Sequence, residues 1–207
     1  MPLDRPWSRS PRRGRDERAQ LAPRTKILIV CEGTKTEPNY FSGFPVADVY
    51  DVEVIGAARN TDSLVEDAIA RRDRAERDGM PFNEVWCVFD RDSFTPHNFN
   101  RALQIARNEH IRIAVSNEAF ELWDLLHFNF HDAGISRRTY CDRLTVSLGQ
   151  PYRKNMPNAY ALLAEHQANA IRNATTLLRR YSPWNPEAHN PSTNVHVLVQ
   201  RLNELAD

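Results

Sequence analysis

The chain has 207 residues, 41% hydrophobic and 26% charged, with a formal net charge of zero and a mean hydropathy of -0.60. This is the composition of a globular chain with a very polar surface, long enough to bury roughly 70% of its unfolded area without a disulfide or structural zinc. The longest apolar run, residues 27–31, is far too short for a bilayer, and the basic start has no hydrophobic stretch behind it, so neither a membrane span nor a secretory signal is expected. Cys31, Cys87 and Cys141 lie far apart, the first two inside apolar runs, and read as thiols of a reducing cytoplasm rather than bridges or metal ligands.

Residues 1–25 hold seven arginines against Asp4, Asp16 and Glu17. Such a polar, Pro- and Arg-rich leader buries too little to order itself and is expected to be a flexible arm, either a solvated tail or a non-specific phosphate contact. The remainder, residues 26–207, carries the compensating negative charge. Arginine outnumbers lysine 24 to 3, which draws attention to each lysine.

From Lys26 the chain reads KILIVCEG, a continuous apolar run ended by glutamate and glycine, as expected of a strand buried on both faces. A short helix is expected to begin at 36–41, and a second strand at 52–55. A helix then starts with Asp62 or Ser63 as its cap, with Leu64, Ala68, Ile69 and Arg72 on one face, and stops at Gly79, Met80 and Pro81. EVWCVFD supplies a third buried strand at 84–89. A helix over 97–109 carries Phe99, Leu103 and Ala106 on one side. A fourth strand at 111–115 leads into a helix with Phe120, Trp123, Leu126, His127 and Phe130 at helical spacing. Alternating buried strands and amphipathic helices predict an α/β fold: an open, mostly parallel four-stranded sheet with helices on both faces, within residues 26–131. Residues 132–207 read as a C-terminal helical annex packed on that core, with helices at 137–148, 158–181 and 192–205. In the middle one, Leu163, His166, Ala170, Ala174, Leu177 and Tyr181 form a packing stripe.

Acidic residues terminate the buried strands. Glu32 ends the first, Asp90 and Asp92 end the third, and Glu118 and Glu121 follow the fourth. In a parallel open sheet these ends share one edge, the edge at which ligands bind. Asp90 and Asp92, two apart, face the same side if the chain stays extended. Taken singly, Asp92 or Glu118 reads as the cap of the next helix. Taken together, Glu, Asp-x-Asp and Glu predict a carboxylate site that needs a cation, because clustered carboxylates repel one another. All-oxygen ligands suit Mg²⁺ or Mn²⁺ better than zinc. No Walker A or GxGxxG loop is present, which weakens a nucleotide-cradling fold.

The Glu-Gly and Asp-x-Asp strand ends resemble the Toprim domain of primases, topoisomerases and OLD-type nucleases. VCEGTKTEPNYF (30–41), VFDRDS (88–93), SNEAFELWDLLHF (116–128), the tyrosine and lysine of PYRKN (151–155) and NPSTNVHVLVQRL (190–202) more closely resemble the RloB family. That resemblance implies a Toprim-like, metal-dependent nuclease of bacterial anti-phage defence or abortive infection, often encoded beside an AAA- or ABC-type ATPase. It implies Glu32, Glu37, Asp90, Asp92 and Glu121 as ligands for one or two Mg²⁺ or Mn²⁺ ions, with Glu32, Asp90 and Lys154 acting on a DNA or RNA phosphodiester. Lys154 also reads as an ordinary solvated lysine. Glu118 stands where the family usually has proline, and reads as an incidental helix-start acid. His127 reads as a packed or orienting residue, His131 as a loop residue, and 184–191 as a turn-rich connector. Arg91 is expected to turn away from the aspartates and pair with Glu84 or another surface acid. The alternative function is a latent or non-catalytic Mg²⁺-binding regulatory subunit of an ATPase-containing complex. The near-neutral body without a long basic groove argues against tight DNA binding by the protein alone.

Overall fold

Strand β1 (Thr25–Cys31) shows why a uniformly apolar run becomes the centre of this sheet. Ile27, Ile29 and Cys31 enter one core while Leu28 and Val30 enter a second, and all five are fully buried. Strand β3 (Glu84–Asp90) repeats the pattern, with Trp86 and Val88 on the first side and Val85, Cys87 and Phe89 on the second. The structure, a computed structural model, describes residues 25–46, 50–57, 61–91 and 95–206, with the backbone alone described at 61 and 62. Of the arm expected over 1–25, residues 1–24 lie outside the described residues, as does the candidate ligand Asp92, while Thr25 already belongs to β1.

The strands order as β2-β1-β3-β4-β5, where β2 is Tyr50–Gly56, β4 is Arg112–Asn117 and β5 is Ser192–Thr193. The first four run parallel, as the alternation predicts. Helices α2 (Thr61–Arg77) and α3 (Pro96–Asn108) cover one face through Leu64, Val65, Ala68, Phe99, Ala102 and Ala106. The opposite face is covered by α1 (Thr36–Phe41), α4 (Glu121–Leu126), α5 (Arg137–Leu148), α6 (Ala159–Leu163), α7 (Gln167–Leu178) and α8 (Val195–Glu204). The helices after residue 132 thus share a core with β1 and β3.

The α/β expectation holds, but the four-stranded count needs correction. Ser192 and Thr193, read above as a helix start, form a fifth strand antiparallel to β4, pairing Thr193 with Ser116 and Ser192 with Asn117. Two polar residues carry no hydrophobic period that would mark a strand; the pairing exists because the returning chain lies along the open edge of β4. The Asn194 side chain extends it, accepting from Val115 N–H at 2.7 Å and donating to the Ile113 carbonyl at 2.9 Å. Helix α8 therefore begins at Val195. Helix α2 begins at Thr61, ahead of the expected caps Asp62 and Ser63. The helix expected to reach Phe130 stops at Leu126, whose carbonyl accepts from Asn173 Nδ2 on α7 at 2.8 Å. The long helix expected over 158–181 is divided into α6, a 3₁₀ turn (Ala164–His166) and α7. Its stripe packs as expected at Leu163, Ala170, Ala174 and Leu177.

Candidate functional site

The C-terminal ends of β1, β3 and β4 meet one edge because the three strands are parallel. Glu32 extends the β1–β3 ladder by one residue, its N–H donating to Val88 O at 2.9 Å, and its Oε2 accepts from the Asp90 N–H at 3.1 Å. Position 90 has the same parity as Trp86 and Val88, so Asp90 turns toward the face that α4 and α5 cover. There Arg137, the first residue of α5, donates from Nη2 to Asp90 Oδ2 at 2.7 Å and holds Nε 3.5 Å from Glu121 Oε2. Lys154 Nζ lies 3.6 Å from the other oxygen of Glu121. Sequence-distant acids thus join into one chain of contacts, from Glu32 through Asp90, Arg137 and Glu121 to Lys154.

Glu37 enters from α1. Its buried carboxylate folds back over Gly33, where a Cβ would stand 2.2 Å from Oε2, so the close approach requires glycine. Burial raises the Glu37 pKa, backbone N–H bonds from Glu37 itself and Gly33 oppose the rise, and the charge of Glu121 adds to it. Asp90 is held well above the carboxylate range by burial and then by Glu37, with Arg137 opposing and Glu121 and Glu32 reinforcing. These mutual influences identify Glu32, Glu37, Asp90 and Glu121 as electrostatic neighbours.

Asp124, which sequence reasoning passed over, belongs to the same surroundings. It is buried on α4, and its pKa is raised by burial and by Glu121, with the Tyr152 hydroxyl opposing. Tyr152 donates to Asp124 Oδ2 at 3.0 Å, while Oδ1 has no hydrogen-bond partner among the described residues. That bond helps seat the loop that carries Lys154. Thr36 Oγ1 donates to the Lys154 carbonyl at 2.6 Å and Asn39 Nδ2 to the Met156 carbonyl at 3.2 Å, fixing the same loop to α1. The available signal for Asp124 was an acid within the apolar helical segment ELWDLL. For Arg137 there was none, since one arginine among 24 has no distinguishing pattern.

In donor type and charge the cluster fits a hard divalent cation: oxygen ligands only, and Glu32, Glu37, Asp90 and Glu121 facing two cationic side chains. In spacing it is a cluster already bridged by Arg137, and among the described residues no group of three or more His, Cys, Asp or Glu side chains is placed to hold one ion.

The surrounding candidates have structural roles. His127 is fully buried, its Nδ1 3.0 Å from the Trp123 carbonyl, and burial lowers its pKa to about 4. His131 is buried against Tyr140 and lies 3.1 Å from Arg143 Nη1. Glu118 precedes α4 rather than opening it. Arg91 pairs with Glu187 at 2.8 Å, not with Glu84, which sits at the far end of β3 beside Arg201 and Arg112. In the 184–191 connector, Trp184 Nε1 donates to Ser192 Oγ at 3.0 Å and His189 stacks on Tyr181.

The fold and the edge define an α/β protein whose parallel strands deliver carboxylates to one rim, with a helical layer closing over them. Within that class, the family model described as RloB-like protein matches residues 27–202, most of the chain. The chain belongs to the RloB-like family. No curated protein and no solved structure matches it significantly.

Proposed function

We propose that the protein is a metal-dependent phosphodiesterase of the Toprim-type nucleases, cutting DNA or RNA in bacterial anti-phage defence under the control of an AAA- or ABC-type ATPase. The observation that carries the chemistry is the gathering of Glu32, Glu37, Asp90 and Glu121 at the C-terminal strand edge beside Lys154. The defence role and the ATPase partner rest on the family resemblance. Glu32, Glu37, Asp90 and Glu121, with Asp92, would hold one or two Mg²⁺ or Mn²⁺ ions. Such an ion, when bound, lowers the pKa of a bound water and offsets charge on the leaving oxygen. The backbone N–H of Asp90 holds the Glu32 carboxylate in place, and Gly33 leaves room for that of Glu37. Lys154, half exposed on its loop, presents a mobile ammonium to non-bridging phosphate oxygens.

A second reading, a latent regulatory subunit, is favoured by one feature: Arg137 already neutralises Asp90 and Glu121. The test is incubation of the purified protein with plasmid, single-stranded DNA and tRNA in Mg²⁺, Mn²⁺ or EDTA. Cleavage dependent on the divalent ion and lost in Asp90→Ala supports the nuclease. Cleavage undiminished in that variant points to contamination. Cutting that begins only when the neighbouring ATPase is added supports the latent form.

A further inference from the structure

We infer that α1 and residues 149–163 form one nucleic-acid-docking face, on which the exposed Lys35, Arg153 and Lys154 bind the phosphodiester backbone of the strand beside the bond to be cut. The inference rests on the phosphodiesterase reading above and deepens it by naming where the substrate strand lies; the docking itself needs no metal ion. The two segments are far apart along the chain yet build one surface. Thr36 Oγ1 donates to the Lys154 carbonyl at 2.6 Å and Asn39 Nδ2 to the Met156 carbonyl at 3.2 Å. The Tyr160 ring of α6 packs on Phe44 and Tyr40, with centroids 4.4 and 5.9 Å apart. Glycine at 43 permits this approach, since a Cβ there would stand 2.4 Å from Tyr160 Cβ. Lys35 and Lys154, two of the three lysines in the chain, are thereby carried on either side of one hydrogen-bonded seam.

The exposed charge on this surface has one sign. Residues 149–163 contain no Asp or Glu, and the single acid of residues 33–44, Glu37, is buried and folded back over Gly33. Lys35, Arg153 and Lys154 are exposed, and Lys35 and Arg153 pair with no acid among the described residues. Exposed Asn155 and Asn158 of the same loop add amide donors. Other exposed arginines are matched by acids, as Arg74 is by Asp78, Arg101 by Glu66 and Arg180 by Asp132. A face of unmatched cations attracts a polyanion, even on a chain whose charges sum to zero. An acidic protein and a nucleic acid share that attraction, and the position of the face favours the nucleic acid. Lys154 Nζ lies 3.6 Å from Glu121 Oε1, so the face runs directly into the carboxylate edge, and a backbone laid along Lys35 and Arg153 continues to the proposed site of cleavage.

The experiment is fluorescence-anisotropy binding of the full chain to labelled single-stranded DNA, its duplex and single-stranded RNA, over about 50 to 200 mM salt. EDTA is present throughout, which keeps binding apart from any metal-dependent cut. The test variant is Lys35→Ala with Arg153→Ala. An equal loss of charge on the opposite face of the sheet, Arg77→Ala with Arg107→Ala on α2 and α3, is the control. Both keep Lys154 and the arginines of residues 1–25, so a difference between them reports the face. The Lys35 and Arg153 variant is expected to bind about tenfold or more weakly at low salt, and its plot of log affinity against log salt to be shallower by about 1.4 on single strands, about 0.7 for each lost phosphate contact. Each single variant is expected to show about half of that change in slope, an additivity that a folding defect does not give. The control is expected to bind like wild type. Wild-type affinity and slope in the Lys35 and Arg153 variant, or an equal loss in the control, overturn the face. Displacement of the oligonucleotide by poly-L-glutamate as effectively as by unlabelled strand at equal charge assigns the face to an acidic protein and overturns the nucleic-acid reading. Failure of the phosphodiesterase reading shows separately: a protein that binds through these residues in EDTA and cuts nothing in Mg²⁺ or Mn²⁺ keeps the docking face and loses the hydrolase.

Discussion

Replacing Tyr152 by Phe tests whether the Lys154 loop is held down by a buried acid. The substitution keeps the ring, which packs against the core, and removes only the hydroxyl that donates to Asp124 Oδ2 at 3.0 Å. Asp124 is buried and its Oδ1 already lacks a hydrogen-bond partner among the described residues, so the variant leaves a whole carboxyl group unsatisfied. Stranding a buried polar group in this way costs about 1–3 kcal/mol. For a chain of this size each kcal/mol lowers Tm by roughly 2–4 °C, so a fall of roughly 2–12 °C is expected. The loop retains its bonds from Thr36 and Asn39, and opening is therefore expected locally, around 149–153, as faster protease cleavage there. Urea unfolding and limited proteolysis together read both effects. A stability change under about 0.5 kcal/mol, the level of an ordinary surface substitution, with unchanged cleavage would refute the anchoring argument.

Asp124→Asn removes an acid whose folded pKa is raised by burial. The favourable contribution of the proton is complete below the unfolded value, about 3.9, and is lost as pH rises through the raised folded value. The variant should therefore gain stability over wild type at neutral pH, with the gain vanishing toward pH 4; a gain that grows on acidification would contradict the assignment. His127 has the opposite sign: its pKa is lowered to about 4, so its contribution is present above the unfolded value of about 6.5 and is lost as pH falls toward the folded one. Its ring proton resonance should titrate near pH 4, and a midpoint above 6 would show that the ring is not buried as described. Asn194→Ala strips the partners of Val115 N–H and Ile113 O and should cost about 2–4 kcal/mol by urea denaturation. Gly56→Ala would drive a Cβ to 2.6 Å from Thr34 Cα and 2.7 Å from Gly33 O. A cost of about 1–3 kcal/mol is expected, together with weaker Mn²⁺ binding as the loop leading to Glu37 moves, and calorimetry with Mn²⁺ titration reads both.

What the sequence determined by itself is what repeats or contrasts locally. The runs ILIVC and VWCVF announced strands buried on both faces because every side chain in them gains by leaving water, whichever way it points. Glu32 and Asp90 stood out as charges set directly at the ends of such runs, and the parallel topology that follows from alternation placed them on one edge. Helix α5 was legible to the residue, with Ser136 accepting from the Thr139 N–H at its start and Gly149 in the left-handed conformation at its end.

Only tertiary structure decided the rest, because the deciding partners lie far away along the chain. Ser192 and Thr193 become a strand through an edge that β4 leaves open 77 residues earlier, as the Ser116–Thr193 hydroxyl contact records. Helix α4 ends where Asn173 of α7 takes its carbonyl. Arg137 acquires its place from the geometry of α5 across β3, since a guanidinium has no local pattern that says which carboxylates it will meet. Local periodicity reports how a segment buries its own surface, whereas pairing of polar groups depends on which distant atoms arrive beside them, and that is settled only when the chain has folded.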